Sequence, residues 1–164
     1  MIKTGILVMS DKGSRGERED LSGRRIKQVL SQGFDFQHYE VIPDDKGIII
    51  ERLRYLCDVL ALDLVLTSGG TGMSPRDVTP EATLEVVEKN VPGIPEAMRF
   101  MGMQKTPRAM LSRGVAGIRG NTLIINLPGS AIAVQESLEA ILPALEHGLH
   151  TLSGSAQDCG RPEK

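Results

Sequence analysis

The chain has 164 residues, 40% of them hydrophobic, with 19 lysines and arginines against 21 acids, for a formal charge of −2. That is enough apolar sequence for one domain with its own core, and too much for a disordered chain. No net basic field exists to attract nucleic acid or an anionic membrane, and three phenylalanines, two tyrosines and no tryptophan leave little for stacking on bases.

Thr4 to Met9 has an unbroken apolar centre and reads as a strand covered on both faces, as in a parallel sheet. Ser10 to Asp20 is a charged, glycine-containing loop. Leu21 to Gln32 follows as a helix with Leu21, Ile26, Val29 and Leu30 on one face, and Gly33 as its stop. Phe36 to Pro43 is a second strand, followed directly by Asp44 and Asp45. Lys46 to Leu62 is a helix with Ile49, Leu53, Leu56 and Leu60 inside, and Asp63 to Thr67 a third strand.

Thr79-Pro80-Glu81 predicts a helix start, with Thr79 as N-cap, Pro80 first in the helix and an acid in the first turn. That helix is expected to run to about Asn90. Glu96 to Gln104 is a shorter, methionine-rich helix, and Met98, Met101 and Met103 read as core filling. Arg113 to Ile118 and Thr122 to Leu127 are two more strands. Pro128-Gly129-Ser130 opens a last helix to about Leu152, with a kink or break expected at Pro143 and a frayed tail over 153–164. The pattern predicts a single α/β domain over 1–164, a three-layer αβα sandwich with a mostly parallel central sheet.

Cys57 and Cys159 match no metal-ligand spacing and suggest a reducing compartment without a disulfide framework; Cys57, in an apolar helical pattern, reads as a core thiol. The first nine residues lack a signal peptide's long apolar region, and no apolar run approaches the ~20 residues that span a bilayer. A cytoplasmic protein with no membrane partner is expected.

The richest stretch is Thr67 to Thr83, TSGGTGMSPRDVTPEAT. Gly69, Gly70 and Gly72 let the backbone turn tightly and approach a ligand, while Ser68, Thr71, Ser74 and the loop N–H groups can converge on an anion. A plain tight turn is the alternative. Asp44 and Asp77 each follow a strand end by a few residues, so both can face one pocket. The alternatives are a helix cap for Asp44 and a local turn bond for Asp77; Asp45 and Glu81 suit capping or the helix dipole. Ser10 and Asp11 end the first strand and are open between site and scaffold. Pro128, Gly129 and Ser130 form a second strand-to-helix turn able to meet an anion. Arg76 either meets a phosphate or forms a surface ion pair. His147 and His150 lack a third ligand nearby and are not read as a metal pair. The loops 10–20, 44–45, 67–79 and 128–130 all leave carboxyl ends of predicted strands, where open α/β sheets bind ligands.

MSDKGSRGEREDLSG at 9–23, VIPDD at 41–45, TSGGTGMSPRDVTPEAT at 67–83 and MLSRGVAGIRGNTLIINLPGS at 110–130 together resemble the molybdopterin adenylyltransferase family of molybdenum cofactor biosynthesis (MogA/MoaB type), over Ile6 to about Leu152. One departure is Ala131-Ile132, where many members carry a proline. The resemblance implies that the terminal phosphate of molybdopterin attacks the α-phosphorus of the co-substrate ATP, giving adenylylated molybdopterin and pyrophosphate with Mg²⁺ present. It implies Asp44 and Asp77 as essential carboxylates that bind the pterin or help hold the metal, with Asp77 the candidate Mg²⁺ ligand. It also implies a homotrimer. Ser10, Ser68, Gly69, Gly70, Thr71, Gly72, Pro128, Gly129 and Ser130 are the expected substrate contacts, and a molybdenum-insertion protein is the candidate recipient of the product. The alternative is a non-catalytic carrier or scaffold that binds molybdopterin without adenylylating it. A phosphate nucleophile is largely dianionic at neutral pH and needs no strong base, so positioning and charge neutralisation carry the chemistry. No GxxxxGK[ST] motif is present, so ATP is not held as in P-loop enzymes.

Overall fold

The computed structural model describes residues 1–30 and 32–155, and its centre is a six-stranded sheet in the order β2-β1-β3-β6-β5-β4. The strands are β1 (Ile2–Met9), β2 (Phe34–Ile42), β3 (Leu64–Ser68), β4 (Lys89–Asn90), β5 (Ala116–Arg119) and β6 (Thr122–Leu127). β2, β1, β3 and β6 are mutually parallel; β5 is antiparallel to β6 and β4 antiparallel to β5. The helices are α1 (Asp11–Ser14), α2 (Ser22–Val29), α3 (Lys46–Arg54), α4 (Thr79–Val86), α5 (Gly93–Met103) and α6 (Ala131–Leu152), with a 3₁₀ turn over Pro107–Leu111.

Side-chain alternation along the central strands builds two separate cores. Ile6, Val8, Leu64, Leu66, Leu123 and Ile125 face α2, α5 and α6, where Ile26, Met98, Val134, Leu138, Ile141 and Leu145 meet them. Leu7, Met9, Val65 and Ile124 point the other way, onto Ile49 and Leu53 of α3 and Ala82 and Val86 of α4. Both faces of β1, β3 and β6 are therefore covered, which is why their centres run apolar, whereas the edge strand β2 is only partly buried. The expected αβα sandwich is the one observed.

Several boundaries differ from the sequence reading. α3 passes at Tyr55 into a π-helical turn ending at Val59, and Ala61, at φ +47, stops the chain short of the expected Leu62. α4 ends at Val86 because Val87 is extended, and Lys89–Asn90 pair with Ile118 and Gly117 as a short edge strand. Two exposed polar residues carry no periodic signal, so that strand is invisible in sequence. α2 stops at Val29 with Leu30 as its C-cap, while Gly33, at φ +83, turns the chain into β2 rather than capping the helix. No break occurs at Pro143; α6 runs through it. Ser153 to Ser155 fold back on the end of α6, with the Ser155 N–H donating to the His150 carbonyl at 3.0 Å; the rest of the expected frayed tail, with Cys159, lies outside the described residues. Met98 is buried, but Met101 and Met103 are exposed and are not core filling. Cys57 is buried, and burial pushes its thiol up to about 11, which makes it an inert core group.

The parallel strands β2, β1, β3 and β6 are neighbours, so the segments after Ile42, Met9, Ser68 and Leu127 emerge side by side along one edge. That edge carries the candidate site.

Candidate active site

The glycine loop begins where β3 ends. Gly69 has φ +94, and a Cβ there would lie 2.5 Å from the Met9 carbonyl oxygen at the end of β1. Gly70 has φ +65, and its Cβ would collide with the Thr79 side chain and lie 3.2 Å from Asp44 Oδ1. Only glycine suits both requirements, a left-handed backbone and close approach of neighbours. Thr79 does not cap α4 as expected, since the helix starts at Thr79 itself and Val78 precedes it without a side-chain cap bond. Its hydroxyl instead donates to the Gly69 carbonyl at 3.0 Å, and its N–H to the Gly70 carbonyl at 3.2 Å. The first residue of α4 thus fixes both glycine peptides.

The loop hydroxyls do not all converge on one point. Ser68 is fully buried and donates to the Pro128 carbonyl at 2.8 Å, tying the glycine loop to the turn after β6. Ser74 Oγ accepts the Arg76 N–H, and Thr71 is buried. The two turns touch: a Cβ on Gly129 would lie 3.4 Å from the Gly69 Cα. Ser130 caps α6, its Oγ accepting the Ala133 N–H at 3.2 Å, so Ala131 continues directly into the helix.

The carboxylates gather at the same edge. Asp45 caps α3 by accepting the Ile48 N–H, which leaves Asp44 free of that task. Asp44 and Asp11 exchange bonds between main chain and carboxylate at 3.0 and 3.1 Å. Burial raises the Asp44 pKa above the ordinary carboxylate value, and the nearby charges of Asp11 and Asp77 raise it further. The Asp44 N–H and then the Arg76 guanidinium lower that of Asp11. Arg76 grips Asp11 with bonds of 2.8 to 3.1 Å, so it forms an ion pair. Asp77 accepts the Ser74 N–H at 3.0 Å, the local turn bond weighed as its alternative, and the residue also lines open space.

Two cavities flank these groups. One, of about 560 Å³, is lined by Ser10, Asp44, Ser68 and Gly69 together with the loop Arg18 to Ser22. The other, of about 540 Å³, lies between the glycine loop, α5, the 3₁₀ turn and α6, and includes Thr71, Gly72, Met98, Arg99 and Pro128. Gly70, Asp77, Gly129 and Ser130 line both. The sequence-derived candidates therefore come together, with Ser10 doubling as the N-cap of α1 through the Gly13 N–H at 3.0 Å.

Residues the sequence did not single out also shape the site. Arg113 reaches the glycine loop from the segment before β5, and Glu81, an acid in the first turn of α4 as expected, also pairs with it. Arg108 and Arg99 add positive charge to the second cavity. An expected strand over 113–118 hid this role, because a strand residue is read for its face and not for a reach back to a distant loop. Among the described residues no group of three or more His, Cys, Asp or Glu is arranged to hold a metal ion, and no helix is long and apolar enough to cross a membrane.

Fold and site define an open α/β protein with an anion-suited ligand site at the carboxyl edge of its parallel strands. The family model described as "Probable molybdopterin binding domain" matches residues 5–147. A molybdopterin adenylyltransferase of Helicobacter pylori strain J99 is 44% identical over 158 residues, covering 94% of this chain and 89% of that one. The molybdopterin adenylyltransferase of Escherichia coli K12 is 38% identical over 147 residues, covering 87% and 75%. The crystal structure of the molybdopterin biosynthesis enzyme MoaB from Thermus thermophilus superposes with a TM-score of 0.90 at 54% identity, over 94% of this chain and 98% of that one. The chain belongs to the molybdopterin-binding domain family of molybdenum cofactor biosynthesis.

Proposed function

We propose that this protein is a molybdopterin adenylyltransferase. An oxygen of molybdopterin's terminal phosphate attacks the α-phosphorus of ATP, a new P–O bond forms, the bond to the bridging oxygen breaks, and pyrophosphate leaves. The observation that carries this reading is the meeting of two cavities at Gly70, Asp77, Gly129 and Ser130. Two reactants, each with a bulky ring system and an anionic end, need separate pockets with a common junction. Glycine backbone and the N-terminus of the 22-residue α6 suit the anionic ends. The relatives named for the same reaction support it.

In this reading Asp44, Asp77, Ser10, Thr71 and Gly69 to Gly72 bind and orient the reactants, and Ser68 holds the glycine loop to the Pro128 turn. The residues fit Mg²⁺. The site offers hard carboxylate oxygens whose charges oppose one another, without a full protein cage, which suits an ion that takes most of its ligands from phosphates and water. Asp77 and Asp44 would hold it, and when bound it would neutralise charge on the phosphates. A cytoplasmic location, a homotrimer and delivery of product to a molybdenum-insertion protein complete the proposal. Exposed Phe100, Met101, Met110 and Leu111 on α5 and the 3₁₀ turn supply apolar surface for self-association.

The test is pyrophosphate release on mixing protein, ATP and Mg²⁺ with and without molybdopterin. Release that depends on molybdopterin is expected; binding of molybdopterin without release would favour the carrier reading.

A further inference from the structure

Arg113 makes an unusual number of bonds to one loop. Its N–H donates to the Thr71 carbonyl at 2.8 Å, its Nε to the Gly72 carbonyl at 2.7 Å and one Nη to the Asp77 carbonyl at 2.8 Å. Its remaining donors meet the Glu81 carboxylate in the first turn of α4. Gly72 and Asp77 bound a short segment whose other ties are the internal Ser74–Asp77 and Ser74–Arg76 bonds and the Arg76–Asp11 pair. The internal bonds hold the segment's shape without fixing it to the sheet, and the ion pair ends on an arginine side chain that is 64% exposed. Arg99, on α5, braces Arg113 from behind by donating to the Gly114 carbonyl at 3.0 Å and the Ser112 carbonyl at 3.4 Å.

We propose that Arg113 is a positioning residue for Asp77: its guanidinium fixes both ends of the 72–77 segment to the segment before β5 and so sets where Asp77 stands at the junction of the two cavities. The planar fork is what the task requires. An ammonium presents a single point charge and cannot span two carbonyls and a carboxylate in fixed geometry. Glu81 orients the fork, so α4, the glycine loop and the segment before β5 are joined through one side chain. The kinetic consequence rests on the adenylyltransferase reading; the structural one does not.

The experiment compares Arg113→Lys and Glu81→Gln with Arg119→Lys, whose arginine pairs with Asp58 away from both cavities. Amide hydrogen exchange over residues 70–79 and the kcat and KM of adenylyl transfer are measured on each. For Arg113→Lys, exchange at the Ser74, Asp77 and Thr79 amides is expected to accelerate about tenfold or more, and kcat to fall on the order of 10- to 100-fold with KM for ATP within about threefold. Glu81→Gln should show the same pattern at smaller size. Exchange and kcat in Arg113→Lys no different from Arg119→Lys would overturn the proposal, as would a loosened loop with unchanged kcat. Should the wild-type protein transfer no adenylyl group, the functional reading fails, and the exchange rates alone decide whether Arg113 is the clamp.

Discussion

The main-chain N–H of Asp11 donates to the Asp44 carboxylate at 3.1 Å, and the N–H of Asp44 returns a bond to the Asp11 carboxylate at 3.0 Å. This reciprocal pair locks the ends of β1 and β2 together and sets two negative charges side by side. Burial already disfavours the ionised form of Asp44, and its neighbours add to the cost. A raised folded-state pKa means that the stabilising contribution is full below the ordinary 3.8 and lost as pH rises through the folded value. At neutral pH the charge is held against stability. Asp44→Asn is therefore expected to raise the melting midpoint at pH 7 by about 1–3 °C without nucleotide or divalent ion, the gain vanishing below about pH 4. Adenylyl transfer should be lost in the same variant. A lower midpoint at pH 7 contradicts the electrostatic account of this residue.

Thr79 is fully buried, and its hydroxyl is bonded to the Gly69 carbonyl. Thr79→Val keeps the shape and removes the donor, leaving that carbonyl poorly satisfied. Unfolding in urea should show a loss of about 1–3 kcal/mol, with Thr79→Ser restoring most of it. Equal stability of the valine and serine variants would rule the bond out as a support of the loop.

Asn126, at the heart of β6, links three elements. Its Nδ2 donates to Thr67 Oγ1 at 3.0 Å and to Thr83 Oγ1 at 2.9 Å, and Thr83 in turn donates to the Thr79 carbonyl at 2.9 Å. This satisfied buried chain leads from the sheet centre to the glycine loop. Asn126→Leu removes the donor to the Thr67 hydroxyl and leaves the Thr83 hydroxyl only its bond to the Thr79 carbonyl, and is expected to cost about 2–4 kcal/mol by denaturant midpoint, with the m-value unchanged.

Gly70 combines φ +65 with a Cβ position occupied by Thr79. Gly70→Val should weaken ATP binding by about tenfold or more in titration calorimetry while the protein stays folded by circular dichroism. Unchanged affinity would mean that this loop does not cradle a phosphate.

The sequence was most readable where burial dictates pattern. The apolar runs at Ile6, Leu64 and Leu123 announced parallel strands, and the segments after them converge as expected. Asp44, Asp77 and the glycines were singled out because they follow strand ends, and the structure brings them to the same edge of the sheet. Thr79 was misread, since a threonine before proline is locally an ideal cap and only the returning loop claims its hydroxyl. Arg113 and Glu81 escaped for the same reason: their partners lie 41 and 32 positions away. β4 escaped because a two-residue edge strand has no period to detect.

The central claim is tested most directly by following label from α-³²P ATP into molybdopterin in a single turnover with Mg²⁺. Wild-type protein should yield labelled adenylylated molybdopterin, and Asp77→Asn, folded to the same midpoint, should yield none above background. Label transfer by Asp77→Asn at the wild-type rate, or none by wild-type protein that binds both reactants, would contradict the account.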